Sequence, residues 1–211
     1  EGDSTGWTYV KSAKLLRRKG ETQKALKELE RMKKSFPESY YSSEIILLKA
    51  ELNYAYGHNR KAARFYNLAL TGGDLKDKEG EILFKLAGIY SNKLADTLSA
   101  LRALSDAAEE AGGEVREEAV FKKAMLEEAS GYYKSASGNY QKLLTEYPDG
   151  DRASEAEKRL EILKLRRRWN KDLAGRLGEI ASSGNDRDIR MIESGVAFYN
   201  ARDFDSAIES I

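Results

Sequence analysis

The chain has 211 residues, with 36 lysines and arginines against 35 aspartates and glutamates, and charged side chains make up 34% of it. This near-balance, a formal net charge of +1, argues against a nucleic-acid protein, whose phosphate contacts call for a basic excess on one face. With no cysteine and one histidine, His58, the chain has no disulfides, thiolate metal sites or cysteine nucleophiles, and most zinc-site and triad chemistry is removed.

Two prolines in the whole chain favour long uninterrupted helices. No apolar run approaches the roughly twenty residues that span a bilayer, and no signal peptide is visible. The chain begins without methionine and stops inside a helical pattern at Ile211, so a fragment of a longer protein is expected.

The stretch from Trp7 to Lys19 carries Tyr9, Val10, Ala13 and Leu16 at helical spacing and meets Gly20, which predicts a helix and its stop. A second helix presents Ala25, Leu29 and Met32 before Phe36 and Pro37 end it. The same hairpin returns with Ile46, Leu47, Ala50 and Tyr54, a bend at Gly57, then Ala62, Tyr66 and Ala69 before Gly72 and Gly73.

A third unit has Leu83, Phe84, Ala87 and Tyr90, but Leu94 stands where the bend glycine belongs. Its second helix is expected to shift by one residue, burying Ala100, Leu104 and Ala107 rather than Ser99, Ala103 and Asp106. The fourth unit is regular again, with Val120, Phe121 and Ala124, a bend at Gly131, then Ala136, Tyr140, Leu143 and Pro148.

These units keep register without insertion or deletion. Ala13, Ala50, Ala87 and Ala124 are each 37 residues apart, and so are Val10, Leu47, Phe84 and Phe121, and also Tyr9, Ile46, Leu83 and Val120. A small residue at a fixed stride marks a close helix contact, and periods of this length mean a stacked repeat array whose function is to hold another protein.

The pattern resembles the tetratricopeptide repeat family: an apolar or aromatic residue and a small residue on the first helix, then alanine with a bulky residue four positions later and a closing proline. Ala62 with Tyr66 and Ala136 with Tyr140 carry the most specific part. The resemblance implies an all-α fold, a right-handed superhelical solenoid of antiparallel hairpins with about twelve helices.

Four repeats of 37 residues are expected over 6–150. A non-standard helical pair follows over 151–184, where Leu160 and Leu163 are read as one helix and Leu173, Leu177 and Ile180 as another. A truncated repeat over 188–211 completes the chain. Locally, Tyr147-Pro148-Asp149-Gly150-Asp151 and the charged alanine-bearing helix after it resemble repeat ends in bacterial envelope proteins of the outer-membrane assembly lipoprotein and cell-division coordinator families. This likeness implies a periplasmic or cell-envelope setting.

Catalytic material is sparse. His58 reads as a solvated turn residue, and neighbouring acids such as Glu117 with Glu118 do not face each other on a helix. No cofactor or metal is expected. The family resemblance places ligands on the first helices, along a groove of Val10, Lys14, Arg17, Leu47, Glu51, Tyr54, Phe84, Ser91, Phe121, Met125 and Glu128. The column from Val10 to Phe121 is either the floor of that groove or the seam between repeats. A basic start and a more acidic middle point to a polarised ligand.

The carboxylate clamp of some family members needs asparagines that are absent here, the inner positions being Lys14, Glu51, Gly88 and Met125. A second candidate surface is the basic cluster Lys164, Arg166, Arg167 and Arg168 with Trp169, suited to nucleic acid, an acidic peptide or anionic lipid, or simply a solvated helix end. The expected partner is a protein or peptide, with self-association open and no nucleic acid or transmembrane segment. The leading expectation is a non-enzymatic scaffold in a bacterial envelope or motility assembly; the alternative is an accessory domain of an enzyme whose catalytic part lies elsewhere.

Overall fold

The computed structural model describes residues 3–37, 42–183 and 190. Among them are nine α-helices, one short 3₁₀ turn at Lys76–Lys78 and no strand. The helices are α1 (Asp3–Arg18), α2 (Thr22–Ser35), α3 (Ser43–Ala55), α4 (Asn59–Leu70), α5 (Glu79–Lys93), α6 (Thr97–Glu110), α7 (Gly113–Ala129), α8 (Tyr133–Glu146) and α9 (Ala153–Ser183).

The bends follow from local chemistry. Gly20 and Gly57 sit in the left-handed region at φ +76° and +86°, which only glycine adopts without strain. This lets the next amide reach back five residues, Glu21 N–H donating to the Leu16 carbonyl and His58 N–H to that of Asn53, both at 2.9 Å. In the third hairpin the left-handed residue is Ala95, at φ +53°, one position past Leu94.

The loop is correspondingly wider, with Asp96 N–H donating to Tyr90 six residues back, and the Asp96 carboxylate then caps α6 by accepting from Ser99 N–H at 3.1 Å. The shift foreseen in the sequence is present in part: Ala100, Leu104 and Ala107 are buried while Asp106 is exposed, but Ala103, at 4%, is buried with them and is corrected. An alanine in this conformation stores about 1 kcal/mol. Ala95→Gly is expected to raise the stability of the fold by about 1 kcal/mol in urea titration. An unchanged midpoint would show that the bend is unstrained.

Packing explains the difference between first and second helices. α2 buries one stripe, Ala25, Leu29 and Met32. By contrast, α3 is apolar nearly all round because it is buried on two sides. Ile45, Leu48 and Leu52 join Val10, Ala13 and the α2 stripe in one cluster. Ile46 and Ala50 join Ala62, Tyr66, Ala69, Ile82, Leu86 and Ile89 in the next.

The four alanines of the column, Ala13, Ala50, Ala87 and Ala124, are at most 1% exposed. Close approach is also enforced where α5 begins: a Cβ on Gly80 would lie 2.5 Å from the Ala111 backbone nitrogen.

The chain divides into two compact units, Glu1–Gly131 and Tyr132–Ile211. The first holds α1 to α7, three hairpins and the helix that follows them; the second holds α8 and α9. Two expectations are corrected. The helical pair foreseen over 151–184 is one continuous helix of 31 residues, because nothing between Leu163 and Leu173 breaks it: the intervening sequence contains neither glycine nor proline and is rich in strong helix formers. The helix count is thus nine among the described residues rather than twelve. The truncated repeat expected over 188–211 lies outside the described residues save for helical Arg190.

Candidate functional site: the exposed strip of the first helices

With two sides of α3 buried, only a narrow strip of it meets solvent. On α3 that strip is Leu47, Glu51 and Tyr54, at i, i+4 and i+7. Leu47 and Glu51 are half-buried and Tyr54 is 44% exposed. Across it runs a chain of opposite charges from three helices: Arg17 of α1 pairs with Glu51 of α3, and Glu51 also lies 3.9 Å from Lys85 of α5. All three side chains remain a quarter to a half exposed.

Half-exposed pairs of this kind contribute about 0–1 kcal/mol each, so a ligand carrying its own charges can exchange into them at little cost. Further along, the Lys122 ammonium of α7 stands 5.5 Å from the Phe84 ring centroid and 3.5 Å from the Glu118 carboxylate. Lys14 lies 5.8 Å from the ring of exposed Trp7.

The strip carries no side chain at Gly88, in the middle of α5. A Cβ there would meet nothing within 4 Å, so the glycine serves neither close packing nor a special backbone angle. In a helix interior it costs about 1 kcal/mol relative to alanine. Its effect is space, between half-buried Phe84 on one side and Ser91, whose hydroxyl donates to the Gly88 carbonyl at 3.5 Å, on the other. Beneath the strip, burial pushes the Tyr66 hydroxyl up to about 12, with neighbouring Tyr54 adding to the rise and Arg17 opposing it.

The structure separates the sequence candidates. Lys14, Arg17, Leu47, Glu51, Tyr54, Phe84, Ser91, Met125 and Glu128 keep at least partial exposure. Val10 and Phe121 do not, each at 2%, and they are corrected from groove floor to inter-helix core. Of the basic start and the more acidic middle, Arg17 and Glu51 pair with each other, and Glu51 also faces Lys85.

Lys85 was missed as a strip residue, and Gly88, placed among the inner positions, was not counted in the groove. The available signal was a stride of 34 through Arg17, Glu51 and Lys85, alternating in charge, which a search for like residues passes over.

The basic cluster divides as well. Lys164 is exposed and 3.3 Å from Glu161, Arg167 and Arg168 are exposed, and Arg166 lies with its guanidinium carbon 3.8 Å from the Tyr133 ring centroid. Trp169 is 1% exposed and is corrected from contact residue to core.

His58 is exposed before α4 and edge-on to Tyr56, with ring centroids 4.7 Å apart. Among the described residues no group of three histidines or acids could hold a metal, and no helix is long and apolar enough to cross a membrane.

Residues 7–39 match the model of the family described as Tetratricopeptide repeat. A tetratricopeptide repeat protein from Parabacteroides merdae is similar in structure, with a TM-score of 0.66 at 18% identity over 98% of this chain and 77% of that one. BtubC (BKLC) from P. vanneervenii follows at 0.55 and 19%, over 94% and 74%, and pilF from Pseudomonas aeruginosa at 0.53 and 15%, over 99% and 89%.

No curated protein matches the chain. The tetratricopeptide repeat match thus falls on the first hairpin, and the helical-hairpin fold over the rest of the chain is the one these neighbours share. Tetratricopeptide repeat proteins bind proteins or peptides and are typically non-catalytic interaction modules.

Proposed function

We propose that the chain is a non-enzymatic scaffold that holds a segment of another protein, or of a neighbouring subunit, along the first-helix strip of α1, α3 and α5. The observation that carries this reading is the combination of exchangeable charge pairs, exposed Tyr54 and the open floor at Gly88 on one strip. A charged, partly apolar segment finds there both ion-pair partners and a place for one bulky side chain. The setting proposed is a bacterial envelope or motility assembly, on the strength of the local likeness around Tyr147-Pro148-Asp149-Gly150-Asp151.

Gly88 supplies the test, because the space above it is empty. Gly88→Ala and Gly88→Trp should fold alike, with alanine raising stability by about 1 kcal/mol. Immobilised wild type and Gly88→Ala are expected to retain the same partner from an extract of the source cells. Gly88→Trp should retain at least about tenfold less, a loss of about 1.4 kcal/mol. Equal retention by all three, with unchanged circular dichroism, would remove the strip as the site.

A further inference from the structure

The second unit carries a different cleft, independent of the first-helix strip. It lies between α8 and α9, has a volume of about 580 Å³, and is lined by Tyr133, Lys134, Ser137, Gly138 and Gln141 from α8 and by Leu163, Arg166, Arg167 and Asn170 from α9. This volume falls in the range of ligand-holding clefts. Three of the lining side chains are cationic, four are neutral and polar, and none is acidic. Elsewhere on these helices and the loop between them four basic residues, Lys142, Arg152, Arg159 and Lys164, each face a carboxylate within 4 Å, while Lys158, Arg168 and Lys171 stand on exposed turns of α9.

Lys134 and Arg167 approach the cleft from opposite walls and make no ion pair among the described residues. Arg166 is already held, its guanidinium carbon 3.8 Å from the Tyr133 ring centroid, so less side-chain entropy is left to lose when it meets an anion.

Gly138 adds a second, independent observation. It stands inside α8, where glycine is unfavourable by about 1 kcal/mol, and a Cβ there would meet nothing within 4 Å. As at Gly88, the missing side chain leaves room, here on the wall of the basic cleft. We propose that this cleft binds an acidic protein segment, whose carboxylates are received by Lys134, Arg166 and Arg167 while Gly138 makes space for the segment to lie against α8.

A nucleic-acid backbone fits less well, because Glu155, Glu157, Glu161 and Asp172 interrupt the positive charge along α9, and phosphates need a continuous basic track. A flat anionic membrane cannot bring its headgroups into a cleft between two helices. The groove of the first unit lined by residues of α2, α3 and α4 differs in carrying an acid: Glu30 stands in its lining, 3.5 Å from Lys49.

The test uses the full chain and a fluorescent hexaglutamate peptide, read by anisotropy at low salt. Saturable binding is expected, weakened at least about tenfold in Lys134→Glu/Arg167→Glu, a loss of about 1.4 kcal/mol. Gly138→Phe, which fills the cleft without touching a charge, should weaken it similarly with an unchanged helical spectrum. Arg168→Glu, on the same helix outside the cleft lining, should change affinity less than about threefold.

Equal losses in Arg168→Glu and the cleft double variant would reduce the site to general charge and overturn the proposal. So would undiminished binding in Gly138→Phe, or tighter binding through the same residues by a single-stranded oligonucleotide or by anionic vesicles. Gly88→Trp is expected to leave peptide binding unchanged, which separates this result from that of the first-helix strip.

Discussion

Replacement of Tyr66 by alanine is expected to destabilise the first unit by about 3–5 kcal/mol. Tyr66 is 2% exposed and lies in the cluster that joins α3, α4 and α5, among Ala62, Ala69, Ile82, Leu86 and Ile89. Its alanine neighbours are too small to close the cavity, so the transfer loss and the void add. Tyr66→Phe keeps the ring and should cost under about 1.5 kcal/mol.

The hydroxyl gives this pair a second readout. Its pKa in the fold is about 12, above the ordinary value of 10.0, so the unfolded chain releases this proton first. The contribution is present in full below pH 10 and is lost as pH rises through 12. Wild type should therefore lose stability across that window more steeply than Tyr66→Phe. Parallel alkaline profiles, measured by urea titration at successive pH values, would place the hydroxyl in water and contradict the packing described.

Ala50→Leu tests the stride itself. Ala50 is 0% exposed and brings α3 against α4 and α5 in the same cluster as Tyr66. Extra carbons there have no void to enter, and forcing the helices apart should cost about 2–3 kcal/mol. Leu47→Ala, three residues earlier and half-buried, should cost less, about 1 kcal/mol for partial loss of an apolar side chain. If the order were reversed, the alanine column would not be the contact line and Leu47 would be the more deeply packed residue.

These two positions also show what the sequence disclosed. A 37-residue stride in small residues is a direct imprint of helix contact, so Ala13, Ala50, Ala87 and Ala124 could be read as buried without coordinates, as could Ala100, Leu104 and Ala107 on α6. The column through Val10 and Phe121 was ambiguous because an apolar residue is equally at home in a seam or on a groove floor; only neighbours decide.

Trp169 was misread because it stands beside three arginines, and adjacency in sequence is not adjacency on a helix. The charge chain Arg17–Glu51–Lys85 was hidden for another reason: ion pairs join unlike residues, and repeats are found by likeness. The continuity of α9 followed from an absence of breakers that the failing repeat register obscured.

The most direct measurement of the central claim is site-specific photo-crosslinking in an extract of the source cells, with a benzophenone side chain placed at Tyr54 on the first-helix strip or at Leu98 on α6. Both residues are exposed, at 44% and 71%, so neither replacement disturbs the core. The scaffold reading predicts one protein captured from position 54, lost when Gly88→Trp is added, and not captured from position 98. Capture of that protein from position 98 with none from position 54 would contradict it.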